Sequence, residues 1–185
     1  MANIKALTLP LGPQQLLSLR AGDEVTLSGI AYTARDAAHA RLTELLKRGE
    51  PLPFSPQGAC IFYLGPAPAP KGQVIGPAGP TSSYRMDAYT PALLKAGVRV
   101  LIGKGDRSDA VIDSIRRTGS IYLACVGGAA ALLKSHIIQN RLCAWPELGT
   151  EAVCELTLDA LPAVVAVDST GGDIYRLGPE KYRRG

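Results

Sequence analysis

Three short stretches of this sequence set cations or hydroxyls beside glycine, proline or a helix start, where small anions are commonly held. The first is Tyr32-Thr33-Ala34-Arg35-Asp36-Ala37-Ala38-His39. Arg35 stands where a strand pattern gives way to a helix pattern, and Asp36 falls in the first turn, where a carboxylate favours the helix dipole. The plain alternative is a helix start carrying a surface arginine. The second is Gly79-Pro80-Thr81-Ser82-Ser83-Tyr84-Arg85-Met86-Asp87. Here a Gly-Pro hinge feeds three hydroxyls into an expected helix start, whose free N–H groups attract anions, and Arg85 follows Thr81 by four residues. An ordinary Ser/Thr cap is the alternative; a Walker loop is excluded because no Gly-Lys-Ser/Thr closes the stretch. The third is Gly103-Lys104-Gly105 behind an apolar run, with glycines that leave the ammonium uncrowded. A phosphate-binding turn and a plain turn with an exposed lysine both remain open for it.

The guanidinium fork donates two parallel hydrogen bonds and so matches a carboxylate. Two such forks, Arg35 and Arg85, could hold the two ends of a small dicarboxylate. His39 lies one turn along the helix from Arg35 and reads as a structural or supporting histidine rather than a catalytic one. Asp36 could orient Arg35 or cap the helix.

Positioning these loops falls to alternating strands and helices. Residues 4–10 alternate like a short edge strand ended by Pro10, and residues 13–19 read as a short helix with proline at its start. A strand is expected over 24–33, then a helix over 35–47 with Ala38, Leu42, Leu45 and Leu46 as its apolar stripe, closed by Gly49 and Pro51. A buried strand is expected over 59–64, and an extended proline-rich stretch over 66–70. A helical segment runs to about Ala96, broken or restarted at Pro91. Further on come a strand over 98–102, a helix over 108–118, a strand over 121–126 and a small-residue helix opened by Gly127-Gly128. The last third reads as strands over 142–145, 153–158 and 164–167, with Gly171-Gly172 turning into a final strand over 174–176. The whole is α/β and reads as one domain, residues 1–185.

Hydrophobic residues at 46% and charged residues at 19% suit a packed core. The net charge of +4 is scattered, apart from the Lys181-Tyr182-Arg183-Arg184 tail, which excludes a nucleic-acid footprint of basic stripe and interleaved aromatics. No run reaches the roughly 20 apolar residues that span a bilayer, and Met1 opens no signal-peptide pattern. The four cysteines, Cys60, Cys125, Cys143 and Cys154, form no CxxC pair. Free thiols in a reducing cytoplasm, mostly acting as small buried hydrophobes, are the economical expectation.

The segments Arg35-Asp36-Ala37-Ala38-His39, Gly76-Pro77-Ala78-Gly79-Pro80-Thr81-Ser82-Ser83-Tyr84-Arg85-Met86-Asp87 and Ile102-Gly103-Lys104-Gly105, in this order, resemble the β region of class I fumarases and tartrate dehydratases. Val126-Gly127-Gly128-Ala129-Ala130 and Trp145-Pro146-Glu147-Leu148-Gly149 are similar to it as well, and the likeness runs from about Thr8 to Asp173. The resemblance implies a swivelling β/β/α domain, a mixed sheet flanked by helices. It implies a subunit incomplete without an α partner, which carries a [4Fe–4S] cluster on three cysteines; the four cysteines here match none of those ligands. An αβ or α2β2 assembly is implied, in the separate-subunit rather than the fused arrangement.

The implied reaction is reversible addition of water to a small dicarboxylate, with fumarate and (S)-malate ahead of tartrate or a methylated dicarboxylate. By motif, Arg35, Arg85 and Lys104 bind and polarise the carboxylates, and Thr81 is the catalytic base. A threonine hydroxyl can lose its proton only where cations stabilise the alkoxide. Arg85 and Lys104 are placed to do so; the alternative is that Thr81 only orients substrate. Two other readings stay open: a stand-alone dicarboxylate-binding module, and a structural partner that merely closes the α subunit.

Overall fold

The apolar runs pair with one another around a closed circuit, and that closure decides which loops end up together. The computed structural model describes residues 4–125 and 130–182, with side chains as far as residue 178. The expected Val126–Ala129 part of the glycine motif lies outside the described residues. In chain order the elements are β1 (Lys5–Thr8), α1 (Pro13–Ser18), β2 (Glu24–Thr33), α2 (Asp36–Arg48) and β3 (Cys60–Phe62). A 3₁₀ turn at Ser83–Met86 precedes α3 (Thr90–Ala96), β4 (Val100–Gly103), α4 (Asp109–Thr118), β5 (Ile121–Ala124) and α5 (Ala130–Ser135). Then come β6 (Ile137–Ala144), a second 3₁₀ stretch at Pro146–Glu151, β7 (Val153–Val167) and α6 (Ile174–Tyr182). None of these helices is long and apolar enough to cross a membrane.

The seven strands lie in the order β1-β2-β3-β4-β5-β7-β6, and β2 also pairs with β7. The strands β2, β3, β4 and β5 are parallel neighbours, while β7 runs antiparallel to both β5 and β2 and so joins the two ends of the row. Period-2 alternation divides the side chains between two cores. Val25, Leu27, Phe62, Ile102, Leu123, Leu161 and Val165 fill the inside of the ring. Ile61, Tyr63, Leu101 and Tyr122 point the other way, onto Ala38 and Leu42 of α2, Leu93 and Leu94 of α3, and Val111 and Ile115 of α4. The mixed α/β sheet flanked by helices expected from the sequence is present, with one interior layer and one sheet–helix layer.

Two expectations for the last third are corrected. The strands expected at 153–158 and 164–167 are one strand of 15 residues, because both halves stay hydrogen-bonded to β2 across a register shift between Leu27 and Gly29. Ala160, at φ 48°, supplies the bend on the β7 side. The strand expected over 174–176 is the start of α6. Asp173 makes one bridge to Val167, and then its side chain accepts the N–H of Tyr175 while its carbonyl accepts that of Leu177. A side-chain oxygen on an early helical N–H is a helix-start signal, and it overrides the turn pattern of the two glycines.

Because β7 closes the ring through its register with β2, truncation at the seam is expected to be costly. Leu161, fully buried opposite Leu27, should lose about 2–5 kcal/mol on L161A. Urea unfolding checks this, and a shift under about 1 kcal/mol would mean the seam is dispensable.

Candidate functional site

Parallel pairing places the carboxyl ends of β2, β3 and β4 side by side: Thr33 is level with Phe62, and Phe62 with Ile102. Ligands of α/β sheets collect just beyond such ends. The residues found there are Arg35 after β2, Tyr63 to Gly65 after β3, and Lys104 after β4. The Thr81 segment has no strand of its own, yet it is stitched between the other two. Its N–H donates to the Tyr63 carbonyl at 2.7 Å, Pro80 bridges Leu64, and Ser82 bridges Lys104. Ser83 N–H donates to the Lys104 carbonyl at 2.9 Å, and Lys104 N–H donates back to Ser83 Oγ at 3.1 Å. Glycine at position 103 makes this possible, since a Cβ there would overlap Ser83 Oγ and come to 2.8 Å from Tyr63 Cδ2.

The helix expected to begin at Thr81–Ser83 is instead a four-residue 3₁₀ turn followed by α3, with Pro91 in the first turn of that helix. Below this turn lies Arg107, which no motif in the sequence marks. Its side chain is fully buried, its Nε donates to Asp87 Oδ1 at 2.7 Å, and its Nη2 donates to Thr90 Oγ1 at 2.8 Å. The guanidinium carbon also lies 5.2 Å from the Tyr63 ring centroid and 4.9 Å from that of Tyr122, both cation–π distances. Arg107 thus ties the Lys104 loop to the segment holding Thr81 and Arg85. The signal available in sequence was an arginine three residues past Lys104 and an aspartate two past Arg85; nothing local to either announces a buried pair.

Asp36 neither caps α2 nor orients Arg35. Its carboxylate accepts a fork of two bonds from Arg85, from Nε at 2.9 Å and from Nη2 at 2.7 Å. The capping is done from afar: Glu151 Oε2 accepts the Ala37 N–H at 2.8 Å, while its Oε1 lies 3.5 Å from Arg35 Nη2. Arg35 lies against Gly65, where a Cβ would come to 2.5 Å from Nη1, and the Arg35 Nε–H is buried with no acceptor. His39 is fully buried, with Nδ1 2.9 Å from the Arg35 carbonyl. A carbonyl only accepts, so Nδ1 carries the hydrogen and Nε2, which is buried and unpartnered, is a bare acceptor. Burial depresses its pKa from 6.5 to about 4, helped by the charge of Arg107 and opposed by the Arg35 carbonyl bond and by Asp36.

Arg35, Thr81, Arg85 and Lys104 therefore stand on adjoining loops joined by backbone bonds and ion pairs. The Arg35 and Arg85 side chains are 21% and 40% exposed, so the cations reach the surface. Cys60 and Cys125 are buried and Cys143 and Cys154 half-buried; burial raises all four, that of Cys125 to about 12. Among the described residues no three His, Cys, Asp or Glu side chains converge as metal ligands. These thiols do not fit a cluster site.

A family described as Fumarase C-terminus matches residues 3–178. The Leishmania major protein "Fumarate hydratase 2" is 40% identical over 164 residues, 88% of this chain and 29% of that protein. The Methanocaldococcus jannaschii protein "Putative L(+)-tartrate dehydratase subunit beta" is 36% identical over 171 residues, 89% of this chain and 88% of that protein. The Escherichia coli "L(+)-tartrate dehydratase subunit beta" is 28% identical, covering 92% of this chain and 86% of its own length. This chain thus spans under a third of the fumarate hydratase and most of each β subunit.

Removing Arg107 leaves the half-buried Asp87 without its cation, so R107M is expected to cost about 3–5 kcal/mol in chemical unfolding. His39 gives a pH signature. The unfolded chain takes up its proton near 6.5 and the folded chain near 4, so stability contributed by His39 is complete above the upper value and is lost as pH falls through this window. The loss approaches about 3 kcal/mol. H39Q should flatten that part of the stability–pH curve; an unchanged slope would place the titrating group elsewhere.

Proposed function

The chain belongs to the fumarase C-terminal family, and from that premise we propose that it is the β portion of a hydro-lyase acting on a small dicarboxylate, with fumarate and (S)-malate as the first pair. The observation carrying this reading is the stitching of three loops that sets Arg35, Thr81, Arg85 and Lys104 around the ends of three parallel strands. Arg35 and Arg85 each take one substrate carboxylate. The Nε hydrogen and one Nη2 hydrogen of Arg85 already serve Asp36, which leaves its two Nη1 hydrogens and the second Nη2 hydrogen for the ligand. Lys104 polarises the carboxylate next to the carbon that loses its proton. Thr81 takes up that proton as base, or else orients the substrate while a base on the partner acts.

The other half of the site belongs to an α partner. This chain's thiols do not suit a cluster, and the reading assigns the [4Fe–4S] group, a Lewis acid toward substrate oxygen, to that partner. Carboxylate binding, polarisation and proton transfer are the steps given to this chain. The names of the two relatives matched over most of their length, each a subunit beta, support a two-chain arrangement. They also favour a second reading with L(+)-tartrate as substrate, whereas the higher identity to the Leishmania major protein favours fumarate.

Purified alone, the chain is expected to show no hydratase activity; with a cluster-loaded α partner under anaerobic conditions it should gain it, and fumarate should exceed L(+)-tartrate in kcat/KM. Substantial turnover by the chain alone rejects the shared site. Within the complex, R85A should lose about 2–5 kcal/mol of transition-state stabilisation. Wild-type kcat/KM in that variant removes Arg85 from the site.

A further inference from the structure

Arg35 is an N-cap residue whose side chain caps nothing. A helix start needs acceptors for its first N–H groups, and here the acceptor arrives from 114 residues away. Glu151 divides its carboxylate between the Ala37 N–H and the Arg35 guanidinium. One side chain therefore fixes both the start of α2 and the cation that issues from it.

Delivery of Glu151 is independently secured. Thr33, two residues before Arg35, donates its hydroxyl to the Ala152 carbonyl at 3.0 Å and accepts the Cys154 N–H at 2.9 Å. These bonds register the start of β7 against the end of β2, so residues 151 and 35 cannot slide past one another. The stretch before Glu151 bends through two left-handed positions, Trp145 at φ 57° and Gly149 at φ 58°. The first is an unusual conformation for a tryptophan and one that persists only where surroundings enforce it. On the far side, Gly65 makes room: a Cβ there would meet Arg35 Nη1 and Cδ and come to 3.2 Å from the Thr150 carbonyl. The guanidinium thus lies between Gly65 and Glu151, with its buried Nε–H unclaimed by this chain.

We propose that Glu151 is a positioning residue for Arg35, fixing the guanidinium so that its solvent-reaching edge, not the buried Nε–H, meets the anionic end of the ligand. The inference rests on the dicarboxylate reading above and adds a residue to it. Glu151 touches neither ligand nor reacting carbon; it acts through Arg35. A carboxylate so near Arg35 could instead compete with the ligand for it, and the two roles predict opposite effects of removing the charge.

The test uses the variants E151A, E151Q, R35A and the double variant R35A/E151A. In the complex with the α partner, E151A should lower kcat/KM for fumarate by about 10- to 100-fold through misplacement of Arg35. E151Q, which can still accept from Ala37, should fall between E151A and wild type. If Glu151 acts through Arg35, the double variant should be no worse than R35A alone. Losses that multiply in full, an E151A effect under about twofold, or faster turnover in E151Q would overturn the proposal, the last in favour of competition. A second readout needs no turnover: the Arg35 Nε–H resonance in nitrogen-15 spectra of the full chain. It should exchange slowly with solvent in wild type and quickly in E151Q, at a melting temperature close to wild type. Unchanged exchange overturns the positioning role even where the hydro-lyase reading fails. If E151A does not fold, E151Q carries both measurements.

Discussion

The site hangs on one buried ion pair, Arg107 with Asp87, at 2.7 Å and with the arginine side chain fully enclosed. Desolvating a guanidinium is costly unless every donor direction is answered. Here Asp87, Thr90 Oγ1 and Tyr63 Oη take its hydrogens, and the Tyr63 and Tyr122 rings lie within cation–π range. Those partners come from the residue that follows β3, from the start of β5, from Asp87 just after the 3₁₀ turn and from the first residue of α3. With that charge satisfied in one arrangement only, the Lys104 loop and the Thr81–Arg85 segment have one relative position.

The same device repeats toward the surface. Asp87 also accepts the N–H of Ser108, from which α4 starts, and Glu151 accepts that of Ala37 at the start of α2. Neither helix is capped by the side chain of its own N-cap residue. Both borrow a carboxylate from a distant loop, and each lender also holds an arginine. Asp36 completes the series by gripping Arg85. Three separate acid–base pairs result: Glu151 with Arg35, Asp36 with Arg85, and Asp87 with Arg107. Partly exposed pairs such as those of Arg35 and Arg85 contribute little stability, but each fixes where its own cation points.

Much of the scaffold was legible in sequence because its signals are local. The apolar stripe of 35–47 gave α2, the alternation of 24–33 gave β2, and the Arg35, Thr81–Arg85 and Lys104 stretches do adjoin. What was not legible is long-range. Nothing in Ala160 or Pro162 says that two short strands are one, since it is the pairing of both halves with β2, on either side of a register shift, that holds them together. Nothing near Arg107 or Glu151 reveals a partner 20 or 114 residues away. Asp36 misled for the same reason: its position in the first turn suggests a cap, and only the tertiary approach of Arg85 redirects it.

The division of charges bears on how such a site would work. Arg35 and Arg85 each have a carboxylate in contact, so their positive fields are partly neutralised before any ligand arrives, while their geometry is set in advance. Lys104 has no carboxylate within salt-bridge distance among the described residues and is held through its backbone by Ser82 and Ser83. Its charge is therefore the least compensated of the three. On the proposed reading, directional arginines orient the ligand beside a lysine that supplies uncompensated field, and placement is separated from polarisation. Ordering costs are then met by folding rather than at the moment of binding.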